Sequence, residues 1–110
     1  MSETSVYQVT ERFFGMLGLA KRAGKTVQGT NVICDKMRAK GKPVLVLTSH
    51  YASDATRKRL FNKCNFYSIP YMEVDVSQEK LGSILGCSGL TAAVAVLDTG
   101  FAEQIRMECK

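Results

Sequence analysis

The chain lacks several features that would assign it to a common class of protein. Its 110 residues include no tryptophan, two prolines and a single histidine, His50. No apolar run approaches the ~20 residues that a bilayer-spanning helix requires, and the amino terminus resembles no secretory signal. We therefore expect a cytoplasmic protein with no membrane partner.

Catalytic motifs are also missing. G-x-S-x-G, Walker and G-x-G-x-x-G patterns do not occur, although each supports a well-understood chemistry. His50 has no established Ser or Cys partner, since ordinary helix capping explains the nearby Asp54. The sequence predicts no enzyme and no cofactor.

The four cysteines stand 30, 23 and 22 residues apart, with no C-x-x-C pair. This spacing argues against a structural zinc site and against a disulfide framework, so no metal site is predicted. We expect Cys34, Cys64 and Cys87 to be small buried apolar residues and Cys109 to be a free thiol.

Positive charge is concentrated in one half of the chain. The net charge is +5, but residues 12–63 contain twelve Lys and Arg against two acids, whereas the remainder has three bases against eight acids. A solvated helix face would explain one basic helix. It explains less easily a positive bias over the whole first half of the chain. The bias favours a polyanionic partner. Membrane lipid is disfavoured, because no basic amphipathic helix with exposed aromatics is visible.

Apolar periodicity and turn signals predict an alternation of helices and strands. Helices are predicted over about 5–22, 30–40, 54–64, 77–85 and 100–108, and strands over 26–28, 44–48, 67–74 and 91–97. Pro70 favours a loop or an edge for the first part of the third strand. The alternation predicts one α/β domain over residues 1–110, a three-layer α/β/α sandwich with a mixed four-stranded sheet and helices on both faces. A monomer is favoured.

The turn at residues 29–31 is the first candidate site. It should open a helix, where unpaired backbone N–H groups and a partial positive charge can receive phosphate or the acceptor edges of bases. Taken alone, the turn is better explained as an ordinary helix cap, and the surrounding cations are what favour a binding site. The residues assigned to this site are Lys21, Arg22, Lys25, Gly29, Thr30, Asn31 and Lys36.

A glycine-bearing loop before the last strand is the second candidate site. Its residues are Ser88, Gly89, Leu90 and Thr91. Leu90 is either a core residue or an exposed apolar contact for an unstacked base, and the sequence leaves both possibilities open. On the third helix, Arg57, Lys58 and Arg59 point about 100° apart, so we interpret them as solvated surface. Arg59 and Lys63 share a face that could meet phosphate away from the main site.

Four stretches together resemble the ribosomal L7Ae/L30e superfamily, and in particular its small bacterial YlxQ-type members. They are residues 18–31 (Gly-Leu-Ala-Lys-Arg-Ala-Gly-Lys-Thr-Val-Gln-Gly-Thr-Asn), 42–48 (Lys-Pro-Val-Leu-Val-Leu-Thr), 63–70 (Lys-Cys-Asn-Phe-Tyr-Ser-Ile-Pro) and 81–98. The resemblance spans about residues 10–105 and implies an α/β/α sandwich that recognises kink-turn RNA. It implies that residues 29–31 read guanines and that residues 88–91 cover an extruded base.

Two positions depart from the kink-turn pattern. Val32 occupies the place where these binders commonly have Glu, whose carboxylate accepts guanine N–H bonds, and Asp35 stands where a Lys is common, with Lys36 beside it. We therefore expect a preference for structured RNA, including ribosomal RNA, that is broader than strict kink-turn specificity, and we expect no DNA partner. The alternative is a protein-interaction module that uses the glycine-bearing loop and binds RNA weakly or not at all.

Overall fold

The computed structural model describes residues 5–87 and 89–110. Its strands are β1 (Val6–Tyr7), β2 (Thr26–Gln28), β3 (Leu45–Ser49), β4 (Tyr71–Val74) and β5 (Ala93–Val96). Its helices are α1 (Glu11–Arg22), α2 (Thr30–Met37), α3 (Asp54–Tyr67), α4 (Gln78–Ile84) and α5 (Thr99–Met107). Among the described residues, no helix has the length and apolar character that crossing a membrane demands.

Within the described part of the chain, the sheet has five strands in the order β1-β4-β3-β5-β2. β1, β4 and β3 run parallel, whereas β5 is antiparallel to both β3 and β2. The prediction of four strands was wrong, because Val6 and Tyr7 were placed in the first helix. They instead pair with Glu73 and Val74 of β4, and the helix begins only after Thr10. A strand of two residues is too short to show any periodicity in the sequence.

Helices cover both faces of the sheet, as the alternating pattern predicts. Along β3, Leu45 and Leu47 join one buried cluster with side chains of α1, α4 and α5. Val46 points to the other face and packs with Ile33 of α2 and Leu60 of α3. All three β3 side chains are fully buried, which is the environment expected for a continuous apolar strand between two helical layers.

The third helix is longer than predicted and the strand after it is shorter. α3 continues to Tyr67 and ends at Ser68, which has the left-handed φ of 57°. β4 starts only after Pro70, in agreement with the expectation that proline would keep the preceding residues out of the strand.

Strand direction defines the two ends of the sheet. β2 and β3 end where β5 begins, and we call this the upper end, with the opposite one the lower end. At the upper end the N–H of Ser49 donates to the carbonyl of Ala92 at 2.8 Å, and that of Gly29 to the carbonyl of Ala93 at 3.4 Å. The start of α2 and the segment preceding β5 are therefore neighbours.

Candidate nucleic-acid interface

Among residues 5–87 and 89–110, no side chain caps the first turn of α2. Its N-cap is Gly29, whose φ of 96° is open to glycine and strained for other residues. Thr30 is already the first helical residue, so neither Thr30 nor Asn31 serves as the cap that the sequence suggested. The N–H groups at the start of a helix have no intrahelical acceptor. They are left here as donors at the upper end of the sheet.

The segment at residues 89–91 is held against α4. Gly82 makes this possible, because a Cβ at that position would lie 2.1 Å from the carbonyl oxygen of Gly89. The N–H of Thr91 donates to the carbonyl of Gln78 at 3.1 Å, and Thr91 is buried. Leu90 is 67% exposed, so it is the projecting apolar contact and not a core residue.

The two candidate sites line one depression of about 510 Å³, which we call the cradle. Its lining residues are Gln28, Gly29, Thr30, Cys87, Gly89, Leu90, Thr91 and Ala92. Gln28 fixes one wall by donating its side-chain amide to the Cys87 sulfur. Ser88, which was also predicted for this site, lies outside the described residues. The cradle thus brings together segments some sixty positions apart in the chain.

Asn31 follows Thr30, a lining residue of the cradle, and contacts Arg59 of α3. Arg59 Nη1 lies 2.9 Å from Asn31 Oδ1. A guanidinium group has only donors, so the oxygen of the Asn31 amide must face it. The two Nδ2 hydrogens are then turned away from Arg59 and remain available. The interpretation of Arg59 as distant from the main site was wrong, because packing of α3 against α2 places it beside Asn31.

Comparison with known proteins agrees with this architecture. A model of the ribosomal protein L7Ae/L30e/S12e/Gadd45 family matches residues 11–106. The chain belongs to this family. The "RNA-binding protein YlxQ" of Bacillus subtilis (strain 168) is 39% identical over 93 residues, which cover 84% of this chain and 90% of that protein. The "RNA-binding protein YlxQ" of Enterococcus faecium is 28% identical over 97 residues, or 87% and 89% of the two chains.

Solved structures of two similar proteins support the same fold. A protein of unknown function from Bacillus halodurans C superposes with a TM-score of 0.79 at 30% identity, covering 89% of this chain and 96% of the other. The Giardia lamblia 15.5kD RNA binding protein superposes with a TM-score of 0.71 at 17% identity, covering 89% and 85%. At that lower identity the likeness shows the fold alone.

In this member of the L7Ae/L30e/S12e/Gadd45 family, three of the predicted cations lie away from the cradle. Lys21 and Arg22 end α1, and Lys25 precedes β2. The carbonyl of Lys25 accepts from the N–H of Leu97 at 2.8 Å, beyond the last residue of β5 and therefore at the lower end. Gly29 follows Lys25 by four positions of extended chain, a separation of roughly 13 Å.

Lys36 also points elsewhere. It follows Asn31 by five residues on α2, and at 100° per residue its side chain is turned about 140° from that of Asn31. Lys36 is in the last turn of the helix and half-buried. The structure thus brings Gly29 and Thr30 together with residues 89–91, with Asn31 next to them in the chain. It does not bring Lys21, Arg22, Lys25 or Lys36 to the cradle.

The two departures from the kink-turn pattern are both on the surface of α2. Val32 is 51% exposed and offers no acceptor. Asp35 pairs with Arg38 at 2.6 Å, which offsets its negative charge. The polar atoms that α2 and Arg59 present near the cradle are consequently donors for the most part.

Arg57 has a structural role, and its interpretation as solvated surface was wrong. It reaches Glu73, a β4 carboxylate only 1% exposed, at 3.3 Å, and also pairs with Asp54. Desolvation lowers the pKa of Arg57, but the two carboxylates outweigh it and raise the pKa overall. Tyr71 donates to Glu73 at 2.8 Å and His50 Nδ1 lies 3.1 Å away, so the buried carboxylate is well satisfied.

Proposed function

We propose that this chain is an RNA-binding protein without catalytic activity, which holds structured RNA in the cradle. Membership of the L7Ae/L30e/S12e/Gadd45 family supports this function, as do two relatives whose names describe RNA binding. The observation that carries the site is the single depression lined by both residues 29–30 and residues 89–92. We further propose that residues 1–110 act as one domain.

The chemistry of the cradle fits a bent RNA with one base out of the stack. The uncapped first turn of α2 supplies N–H donors and the positive end of the helix dipole to a phosphate. Asn31 Nδ2 and the remaining Arg59 donors match the O6 and N7 acceptors of guanine. Leu90 provides an exposed apolar side chain against which an extruded base can pack.

This donor set indicates which RNA should be preferred. Guanine acceptor edges are favoured, but Val32 cannot accept the guanine N–H groups that a carboxylate would bind. Ribosomal RNA offers many bent, internally looped segments of this kind, and we propose it as the ligand class. Strict selection of a kink-turn over other internal loops is not expected.

A gel-shift titration tests the proposal. The probes are a kink-turn RNA and the same RNA with its G·A pairs replaced by Watson–Crick pairs. We expect the bent RNA to bind more tightly, and Leu90→Ala to weaken its binding about tenfold, because each CH₂ group no longer buried against the base costs about 0.8 kcal/mol. Met107→Ala is the matched control, because Met107 is also an exposed apolar residue, at 70%, but lies on α5. The site assignment would be contradicted if the parent bound both RNAs equally and Leu90→Ala bound the bent RNA as tightly as the parent does.

An exposed leucine beside a glycine-bearing segment is also what a protein contact would use. This second candidate function predicts a protein partner that copurifies after nuclease treatment and is lost in Leu90→Ala. It also predicts weak binding of both RNA probes. The gel shift and the nuclease experiment therefore give opposite results for the two candidates.

A further inference from the structure

The lower end of the sheet carries most of the cations that the cradle lacks. Lys25 flanks the last residues of β5 on one side, and on the other the N–H of Val44 donates to the carbonyl of Val96 at 2.9 Å. The backbone at Val44, where the loop that carries Lys40 and Lys42 ends, therefore lies about 10 Å from that of Lys25, two strand spacings across the sheet. We call the following set the cationic edge: Lys21, Arg22, Lys25, Arg38, Lys40, Lys42 and Lys63.

These cations have few acidic partners. Among residues 5–87 and 89–110, the only ion pair made by a member of the cationic edge joins Arg38 to Asp35. Asp98 follows β5 at the same end, but its carboxylate accepts from the N–H of Phe101 at 3.0 Å and caps α5. The cationic edge therefore keeps a large excess of positive charge.

Helix dipoles account for only part of this charge. Lys21 and Arg22 lie in the last turn of α1, where cations stabilise the carbonyl end of a helix. Lys42 has a similar role for α3, because its Nζ donates to the carbonyl of Tyr67 at 3.1 Å. Lys25 and Lys40 lie outside the helices. Stabilisation of a helix carboxyl end therefore does not explain why these two positions are cationic.

An exposed aromatic side chain stands beside these cations. Phe66 is 79% exposed, and its ring packs edge-on against Tyr67 with centroids 4.9 Å apart. Tyr67 is the residue that receives Lys42, and Lys63 is one helical turn before Phe66. Proteins that bind unpaired nucleic acid use this combination of residues. The bases stack on aromatic rings, and the cations contact the phosphates.

We propose that the cationic edge and Phe66 form a second RNA-binding surface, which takes an unpaired strand while the cradle holds a folded segment. The two surfaces lie at opposite ends of the strands, so each can be occupied without displacing the other. The proposal shares with the proposed function only the class of ligand. One protein could then hold a bent RNA element together with a neighbouring single-stranded region.

Fluorescence anisotropy with a labelled oligouridylate, which has no stable fold, tests this surface. Phe66→Ala should weaken its binding about tenfold, because stacking is worth about 1–3 kcal/mol per base. The triple variant Lys25→Ala, Lys40→Ala, Lys63→Ala should reduce the slope of log Kd against log salt by about 2, since each single-strand phosphate contact contributes about 0.7. Circular dichroism verifies that each variant is folded.

Matched controls separate this proposal from the cradle. Lys58→Ala removes an exposed cation from α3 outside the cationic edge, and Met107→Ala removes an exposed apolar side chain from α5. Both should bind oligouridylate as the parent does, and so should Leu90→Ala. Saturating folded RNA should leave oligouridylate bound. The proposal is overturned if Phe66→Ala and the triple variant bind like the parent, or if folded RNA displaces the oligouridylate. If the cradle were not an RNA site, Leu90→Ala would bind folded RNA as the parent does, and the oligouridylate results would not change.

Discussion

Arg59 of α3 donates to Asn31 at the start of α2 across 2.9 Å, and this contact fixes which atoms of the Asn31 amide face solvent. With Oδ1 held by the guanidinium, the amide presents Nδ2 to solvent next to Thr30 of the cradle. A free asparagine side chain could present either its donor or its acceptor. Arg59 is therefore a positioning residue for Asn31 as well as a source of donors itself.

We predict that Arg59→Ala reduces discrimination between the bent RNA and its Watson–Crick-paired counterpart by about 1–3 kcal/mol, the value of one good bidentate base contact. Arg59→Lys should retain general affinity, because it keeps the charge, but lose part of the discrimination, because an ammonium lacks the planar fork. Gel shifts with both RNAs measure the ratio. Lys58→Ala removes the neighbouring exposed cation and should leave that ratio unchanged. If Lys58→Ala lowered the ratio as much as Arg59→Ala does, the effect would come from charge alone and not from the contact with Asn31.

Gly82→Ala should disturb the cradle from a distance. Its Cβ would lie 2.1 Å from the Gly89 carbonyl oxygen, so the segment at residues 89–91 must move off α4. We expect destabilisation of about 1–3 kcal/mol from overpacking, together with weaker binding of folded RNA. Urea unfolding and gel shifts measure the two effects.

Gly15→Ala provides the comparison for Gly82→Ala. No atom of the described residues lies within 4 Å of a Cβ built at Gly15, which is inside α1. That substitution should stabilise the protein by about 0.5–1 kcal/mol through helix propensity and leave RNA binding intact. Weakened RNA binding in Gly15→Ala would mean that α1 takes part in the interface.

Removing Arg57 should destabilise the fold without acting through RNA contacts. Arg57→Ala leaves the carboxylate of Glu73, which is 1% exposed, without its guanidinium partner. Because Arg57 is partly exposed and Glu73 keeps its contacts with Tyr71 and His50, we expect a loss of about 1–3 kcal/mol, the cost of removing one partner from a buried polar group. Urea unfolding measures the loss, and Lys58→Ala should change stability by less than about 0.5 kcal/mol. A shift of similar size in both variants would contradict the structural role of Arg57.

The cysteines allow the cradle to be probed by chemical modification. Burial, with a contribution from Cys34, raises the pKa of the Cys64 thiol to about 12, so Cys64 should resist alkylation in the folded protein. Cys87 lines the cradle and is half-buried. We predict that folded RNA slows the labelling of Cys87 by iodoacetamide. Peptide mass spectrometry measures the rate of labelling. Labelling of Cys109, which is not among the cradle residues, should proceed at the same rate with and without RNA.

Local sequence signals predicted the two-faced α/β architecture because β3 and β5 are continuous apolar runs between amphipathic helices. The family resemblance, and no local signal, implied that residues 29–31 and residues 88–91 act on the same RNA element. No local pattern tells which loops meet at one end of a sheet. β1 was missed because two residues carry no periodicity, and its position depends on pairing with β4.

The charged residues were harder to place than the apolar ones. Lys21, Arg22 and Lys25 are close to Gly29 along the chain, but one strand crosses the sheet between them and separates them in space. Helical spacing alone led to the interpretation of Arg57 and Arg59 as solvated surface residues. Their partners, Glu73 and Asn31, are 16 and 28 positions away, and only tertiary packing reveals those contacts.

A backbone-amide NMR titration with folded RNA tests the central claim most directly. If the cradle holds the RNA, the amides of residues 29–32 and 89–91 shift or broaden first and saturate together at one equivalent, whereas those of α5 are unaffected. If the RNA binds while these amides stay unchanged, and the shifts fall only on other parts of the chain, the cradle is not the RNA site.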